Sequence, residues 1–157
     1  VTLPKTITVG PENWRSWHFL FHPVPDLPEI LITGRERAYL EWFLFRKTAN
    51  PAATFTDGDL AEYERCFRQT GNLRGALAYY RAVYENIDHN AGLPRVTVPM
   101  LALGAEFGSA PNLYEALRPL GDHVEGGVIA DCGHFIPEEK PVQLAEQMLA
   151  FFAAHQN

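Results

Sequence analysis

Val96-Thr97-Val98-Pro99-Met100-Leu101-Ala102-Leu103-Gly104 is a continuous apolar run closed by glycine. A run without the polar alternation of a half-exposed strand predicts a β-strand buried on both faces, as in parallel sheets lying beneath helices. Downstream, the spacing predicts a helix over 111–120, a second strand over 124–130 and a long amphipathic helix over 137–155. That helix opens on Pro137-Glu138-Glu139, with proline at its first position and acids in its first turn, where they complement the helix dipole. Strand, helix, strand, helix is βαβα, hence a parallel α/β unit. Two strands cannot make a stable doubly wound sheet alone, because its faces need cover and its edges need neighbours. Residues 93–157 therefore read as part of a domain.

Upstream, to about residue 92, the period is helical. Residues 35–47 bring Tyr39, Trp42, Phe43 and Phe45 near one another, and Thr56 or Asp57 suits an N-cap ahead of Leu60, Tyr63 and Phe67. Leu73, Leu77, Tyr80, Tyr84 and Ile87 recur at intervals of 4, 3, 4 and 3, one stripe along a single long helix. Prolines 23, 25, 28 and 51 separate these pieces.

Composition narrows the function. With 157 residues, 46% of them hydrophobic, the chain has material for one sizeable core. Its 13 basic against 19 acidic side chains give a net charge of −6, with no basic cluster, which argues against nucleic-acid and membrane-surface partners. The longest apolar runs, such as 98–105 and 149–154, fall well short of the roughly 20 residues a bilayer-spanning helix needs. Cys66 and Cys132 are too few for a disulfide framework and lack zinc-site spacing, which points to a reducing compartment; a cytoplasmic setting is expected, with export the alternative because the true N-terminus is expected upstream. The only serines, Ser16 and Ser109, are not flanked as in a G-x-S-x-G elbow, so a self-contained serine hydrolase is disfavoured. Val1-Thr2-Leu3-Pro4-Lys5 lacks an initiator Met, a basic region and an apolar region, so it is not a signal peptide and reads as the interior of something longer.

Several side chains carry chemistry. His134 sits in a Gly-His turn between a strand and a helix start, where an imidazole with an ordinary pKa near 6.5 can take a proton from water. Tyr80 lies on the stripe and reads as a core aromatic of the helical half, yet a buried phenol needs a partner and can donate to a ligand oxygen. His18 and His22 have an H-x-x-x-H spacing, but no Glu stands beside His18 and no third ligand is evident, so no metal is expected. Glu106, in Gly104-Ala105-Glu106-Phe107-Gly108, mimics an elbow nucleophile. Only one strand separates it from His134, which leaves no room for a relay acid, so it reads as a loop carboxylate. Cys132 reads as a small buried residue.

Asp131-Cys132-Gly133-His134-Phe135-Ile136-Pro137-Glu138-Glu139-Lys140-Pro141 resembles the C-terminal GH-x-x-x-x-E-x-P signature of α/β-hydrolases, in which the His is the catalytic base. Trp17-His18-Phe19-Leu20-Phe21, then Pro25-Asp26-Leu27-Pro28-Glu29, then Tyr80-Arg81 resemble, in order, the cap motifs of the epoxide hydrolases and haloacetate dehalogenases. The resemblance covers nearly all of the chain. It implies an α/β-hydrolase fold fragment, with a helical cap over 1–92 followed by a βαβα C-terminal half of the parallel sheet over 93–157. It also implies a nucleophilic Asp that precedes the cap. Phe107 stands where many relatives carry the relay acid, so that acid too is expected upstream of Val1, making the upstream half of the same protein a partner.

The resemblance implies that the upstream Asp attacks an epoxide carbon to give an alkyl-enzyme ester. Tyr80 and His18 donate hydrogen bonds to the ring oxygen, and His134 activates the water that releases a diol. Trp17, Phe19 and Phe135 are the expected substrate-binding residues, the substrate is a small molecule, and no cofactor is implied. The rival is haloacetate dehalogenation, whose fluoroacetate-cleaving members carry Trp at the place of Phe19; phenylalanine cannot donate to fluoride. A third reading is a catalytically inactive fragment acting as a binding or assembly module, whose bare sheet edge and apolar surface would favour homo-oligomers.

Overall fold

The computed structural model describes residues 16–156, so the N-terminal pentapeptide Val1-Thr2-Leu3-Pro4-Lys5 lies outside the described residues. Among the described residues the elements run α1 (His18–Phe21), α2 (Leu27–Ile32), α3 (Glu36–Phe45), α4 (Pro51–Thr54), α5 (Asp57–Phe67), α6 (Asn72–Arg81), α7 (Val83–Ala91), β1 (Met100–Ala105), α8 (Leu113–Leu117), a 3-10 turn (Arg118–Leu120), β2 (Val124–Ile129), α9 (Ile136–Glu139) and α10 (Pro141–Ala154). None of these helices is long and apolar enough to cross a membrane. The chain forms two compact groupings. One joins Glu41–Gly58 to the chain from Pro94 onward, and the other joins the residues up to Leu40 to Asp59–Leu93. The change of period near residue 92 carries no sign that residues 41–58 group with the strands.

In the first grouping β1 and β2 pair in parallel, from Met100 opposite Val124 to Ala105 opposite Ile129. β1 begins four residues later than its apolar run because Pro99 has no amide hydrogen to give a ladder. Val96 keeps only an isolated bridge to Gly121. Arg95 secures that entry by donating to Asp122 at 2.8 Å and to the carbonyls of Pro119 and Gly121. The expected burial on both faces is reached only in part. Ala102 and Ala105 are buried, whereas Val128 of β2 is 55% exposed, because among the described residues two strands leave much of their surface uncovered. A buried apolar cluster lies at the C-terminal ends of the strands, where Ala105, Ile129 and Cys132 meet Leu103 and Ile136. The last helix is two helices: Pro141 disfavours helical geometry at Lys140, which sits at φ −137 and ψ 53.

The second grouping packs Ile32 of α2 against Leu73 and Leu77 of α6, with Phe21, Tyr39 and Phe67 around them. Burying each such leucine contributes about 2 kcal/mol, which suffices to hold short helices that would not persist in water. The single long helix expected over the stripe is broken at Ala82, where ψ of −5 unwinds the turn between α6 and α7. Across the break Leu73, Leu77 and Ile87 are buried while Tyr84 is 51% exposed. Arg81, at the end of α6, grips Glu29 of α2 through Nη2 at 2.8 and 3.0 Å and also reaches the carbonyl of Val24.

Candidate active site

His134 follows two buried residues, Cys132 and Gly133, at the exit of β2. Its N–H donates to the carbonyl of Lys47 at 2.7 Å. The neighbouring amides go to one carboxylate: Glu139 Oε2 accepts from Gly133 at 2.8 Å and Oε1 from Phe135 at 3.1 Å. Gly133 is required here, since a Cβ would meet Ala49 N at 2.5 Å, Lys47 O at 2.6 Å and Glu139 Oε1 at 2.7 Å. The ring of His134 stands edge-on to Phe135 at 5.2 Å, and Phe135 in turn meets Phe55. His134 Nδ1 receives only a long contact, 3.4 Å, from the Ser109 amide. His134 keeps solvent access, yet enough protein surrounds it that desolvation, then the Lys47 ammonium, lowers its pKa against the opposing pull of Glu139. The imidazole is therefore neutral at pH 7, as a base must be. Burial also lowers Lys47, to about 8.

The second constellation lies in the other grouping. His18, buried on α1, meets Tyr80 of α6 edge-on with ring centroids 5.6 Å apart, and Phe19 meets the same phenol ring at 5.6 Å. Trp17 packs against His18 and Phe21. Buried His22 presses on the Tyr80 ring at 4.3 Å and hydrogen-bonds the Tyr39 hydroxyl at 2.6 Å. Burial raises the Tyr80 pKa, and burial, then the repulsion of a second phenolate at Tyr80, raises that of Tyr39, so both phenols remain O–H donors throughout the physiological range. Among the described residues no three His, Cys, Asp or Glu side chains are grouped to hold a metal ion.

The structure thus brings Trp17, His18, Phe19 and Tyr80 together in one grouping and His134 with Phe135 in the other. Glu106 accepts the Asp131 amide at 2.9 Å and so ties off the loop ahead of His134, as a loop carboxylate does. Cys132 is fully buried. Three neighbours at these two places are not marked as such by the sequence: Lys47, His22 and Tyr39. In sequence Glu139 reads as an acid for the helix dipole and as the acid of the GH-x-x-x-x-E-x-P signature, with nothing to link it to Ala49; His22 reads only as half of a metal spacing and Tyr39 only as a helix-face aromatic. For Lys47 no local pattern exists.

No protein-family model matches the chain. The soluble epoxide hydrolase of Corynebacterium sp. (strain C12) is 31% identical over 140 residues, which cover 87% of this chain and 49% of that protein. Epoxide hydrolase 3 of Mus musculus is 30% identical over 146 residues, covering 88% of this chain and 38% of the relative. Among solved structures, Cfl2 from Burkholderia cenocepacia superposes with a TM-score of 0.87 at 47% identity, covering 96% of this chain and 52% of its own. The epoxide hydrolase CorEH superposes at 0.85 with 28% identity, over 96% of this chain and 54% of its own. The chain spans about half the length of these proteins, or less. Its fold is that of the α/β-hydrolases, and the proteins it is similar to include epoxide hydrolases.

Proposed function

We propose that these residues serve an epoxide hydrolase. Residues 1–92 act as its cap and 93–157 as the C-terminal part of its catalytic domain, with the nucleophilic Asp and the relay acid supplied from upstream sequence. The observation that carries the reading is the edge-on pairing of buried His18 with half-buried Tyr80 inside one aromatic cluster. Both can donate a hydrogen bond in their neutral forms, and both sit where Phe19 and Trp17 provide an apolar wall for an organic substrate.

In this mechanism the upstream carboxylate attacks an epoxide carbon, the C–O bond breaks, and charge gathers on the ring oxygen. Tyr80 supplies an O–H and His18 an N–H to that charge from fixed positions, so no reorganisation is needed as it develops. The product of this step is an alkyl ester of the Asp. His134 then removes a proton from water, the hydroxide attacks the ester carbonyl, and the diol leaves. Phe135 walls the side of the imidazole. No cofactor enters these steps.

The test uses the complete protein with an aryl or alkyl epoxide and, separately, with haloacetates. Diol formation is expected, with kcat falling about 10²- to 10³-fold in Tyr80→Phe, which removes one donor and little volume. Halide release without diol would replace this reading by dehalogenation. An intact protein inert towards both would leave the binding-module reading.

A further inference from the structure

The amides of residues 133, 134 and 135 are all committed, and their acceptors converge from two stretches of chain. His134 donates to Lys47 O. Glu139 Oε2 accepts from Gly133 and also from Ala49, at 2.8 and 2.9 Å, while Oε1 accepts from Phe135 at 3.1 Å. One carboxylate therefore gathers three N–H groups, one of them from a segment 90 residues away. Bonds to an ionised acceptor are roughly twice as strong as neutral ones.

The ordinary account of Glu139 is a helix-start acid reaching back to the amide of the residue before the helix. That accounts for Phe135 alone. The bonds to Gly133 and Ala49 flank the histidine and join its turn to the 47–49 segment, whose carbonyl at Lys47 holds the histidine amide. The clamp closes so tightly that only glycine fits at 133.

We propose that Glu139 is a positioning residue for His134, locking the 133–135 turn onto residues 47–49 so that the imidazole keeps one orientation. The proposal rests on His134 as the base in the reading above. Its chief readouts need no substrate.

Amide exchange and the His134 imidazole titration are followed by NMR in the complete protein and in Glu139→Gln and Glu139→Ala. A Gln whose oxygen occupies the Oε2 position keeps the Ala49 and Gly133 bonds and gives up that of Phe135; Ala gives up all three. Exchange at Phe135 is expected to rise at least tenfold in both variants, and at Ala49 and Gly133 only in Glu139→Ala. The His134 midpoint should fall in both, because a negative charge favouring the imidazolium is gone while Lys47 stays. Diol turnover should drop in the order wild type, Gln, Ala through kcat, with KM unchanged. If exchange accelerates equally in β1 and α10, or if the His134 titration stays at its wild-type midpoint, the positioning role is overturned. Should Glu139→Ala fail to fold, the contrast between Phe135 and Gly133 within Glu139→Gln decides alone. If the pattern holds in a protein that forms no diol, the clamp stands and the epoxide reading falls.

Discussion

A histidine acts as a base only over the pH range in which it is neutral, and for His134 in its proposed role that range is set by what surrounds the ring. Desolvation and then the Lys47 ammonium lower its pKa, so the acid limb of the rate profile should lie below the ordinary value of about 6.5. Replacing Lys47 by Met removes the cation and keeps the length of the side chain. The limb should then move to higher pH, measured as kcat/KM against pH; a limb that stays or moves down would contradict this account. The Gly-His turn is legible in the sequence because its flanking residues are local. The influence of Lys47 is not, since nothing in the spacing of residues links position 47 to position 134. The partnership of Tyr39 with His22 is hidden for the same reason: each has a sufficient local explanation, and their 2.6 Å hydrogen bond exists only after α1 and α3 have packed.

Between elements, two contacts decide whether the arrangement holds. Gly126 of β2 has φ +150 and faces Ala102 of β1, whose carbonyl a Cβ would strike. Gly126→Ala should therefore cost at least about 3 kcal/mol, combining backbone strain with overpacking, and should be visible as a lowered midpoint of chemical denaturation. Between α2 and α6, burial pushes the Glu29 carboxyl up, but the hydrogen bond and charge of Arg81 outweigh it and hold the pKa below the usual carboxylate range. A depressed carboxyl contributes stability above its unfolded pKa and loses it as pH falls through the folded one. Glu29→Gln should accordingly destabilise by about 1–2 kcal/mol at pH 7, with the gap to wild type closing on acidification below about pH 4. Element types are legible from period alone, and element ends are not. Pro99 delays β1, Pro141 splits the last helix, and the unwound Ala82 divides the stripe. The two prolines are in plain view, but an apolar run or a continuous period outweighs them, and the turn at Ala82 has no sequence mark.

Across the whole molecule, the parallel βαβα order and the helical segment ahead of it are legible in the sequence, because hydrophobic period survives without tertiary context. The membership of residues 41–58 is not, since their helical pattern is the same as that of their neighbours; the bonds of Lys47 to His134 and of Ala49 to Glu139 form only in the folded chain. Uncovered apolar side chains on the strand-bearing part, such as Leu149 at 68% and Phe152 at 54% exposure, agree with a chain that spans about half the length of its relatives. The two thiols provide a clock for how firmly the turn that bears His134 is shut. Cys66 is partly accessible, whereas Cys132 is sealed two residues ahead of His134 with its pKa raised by burial first and then by Glu139. An alkylating reagent should therefore consume one equivalent quickly at Cys66. The second equivalent should be consumed only as fast as the turn opens, so its rate, measured by peptide mass spectrometry, counts the openings of the site in native protein without any substrate.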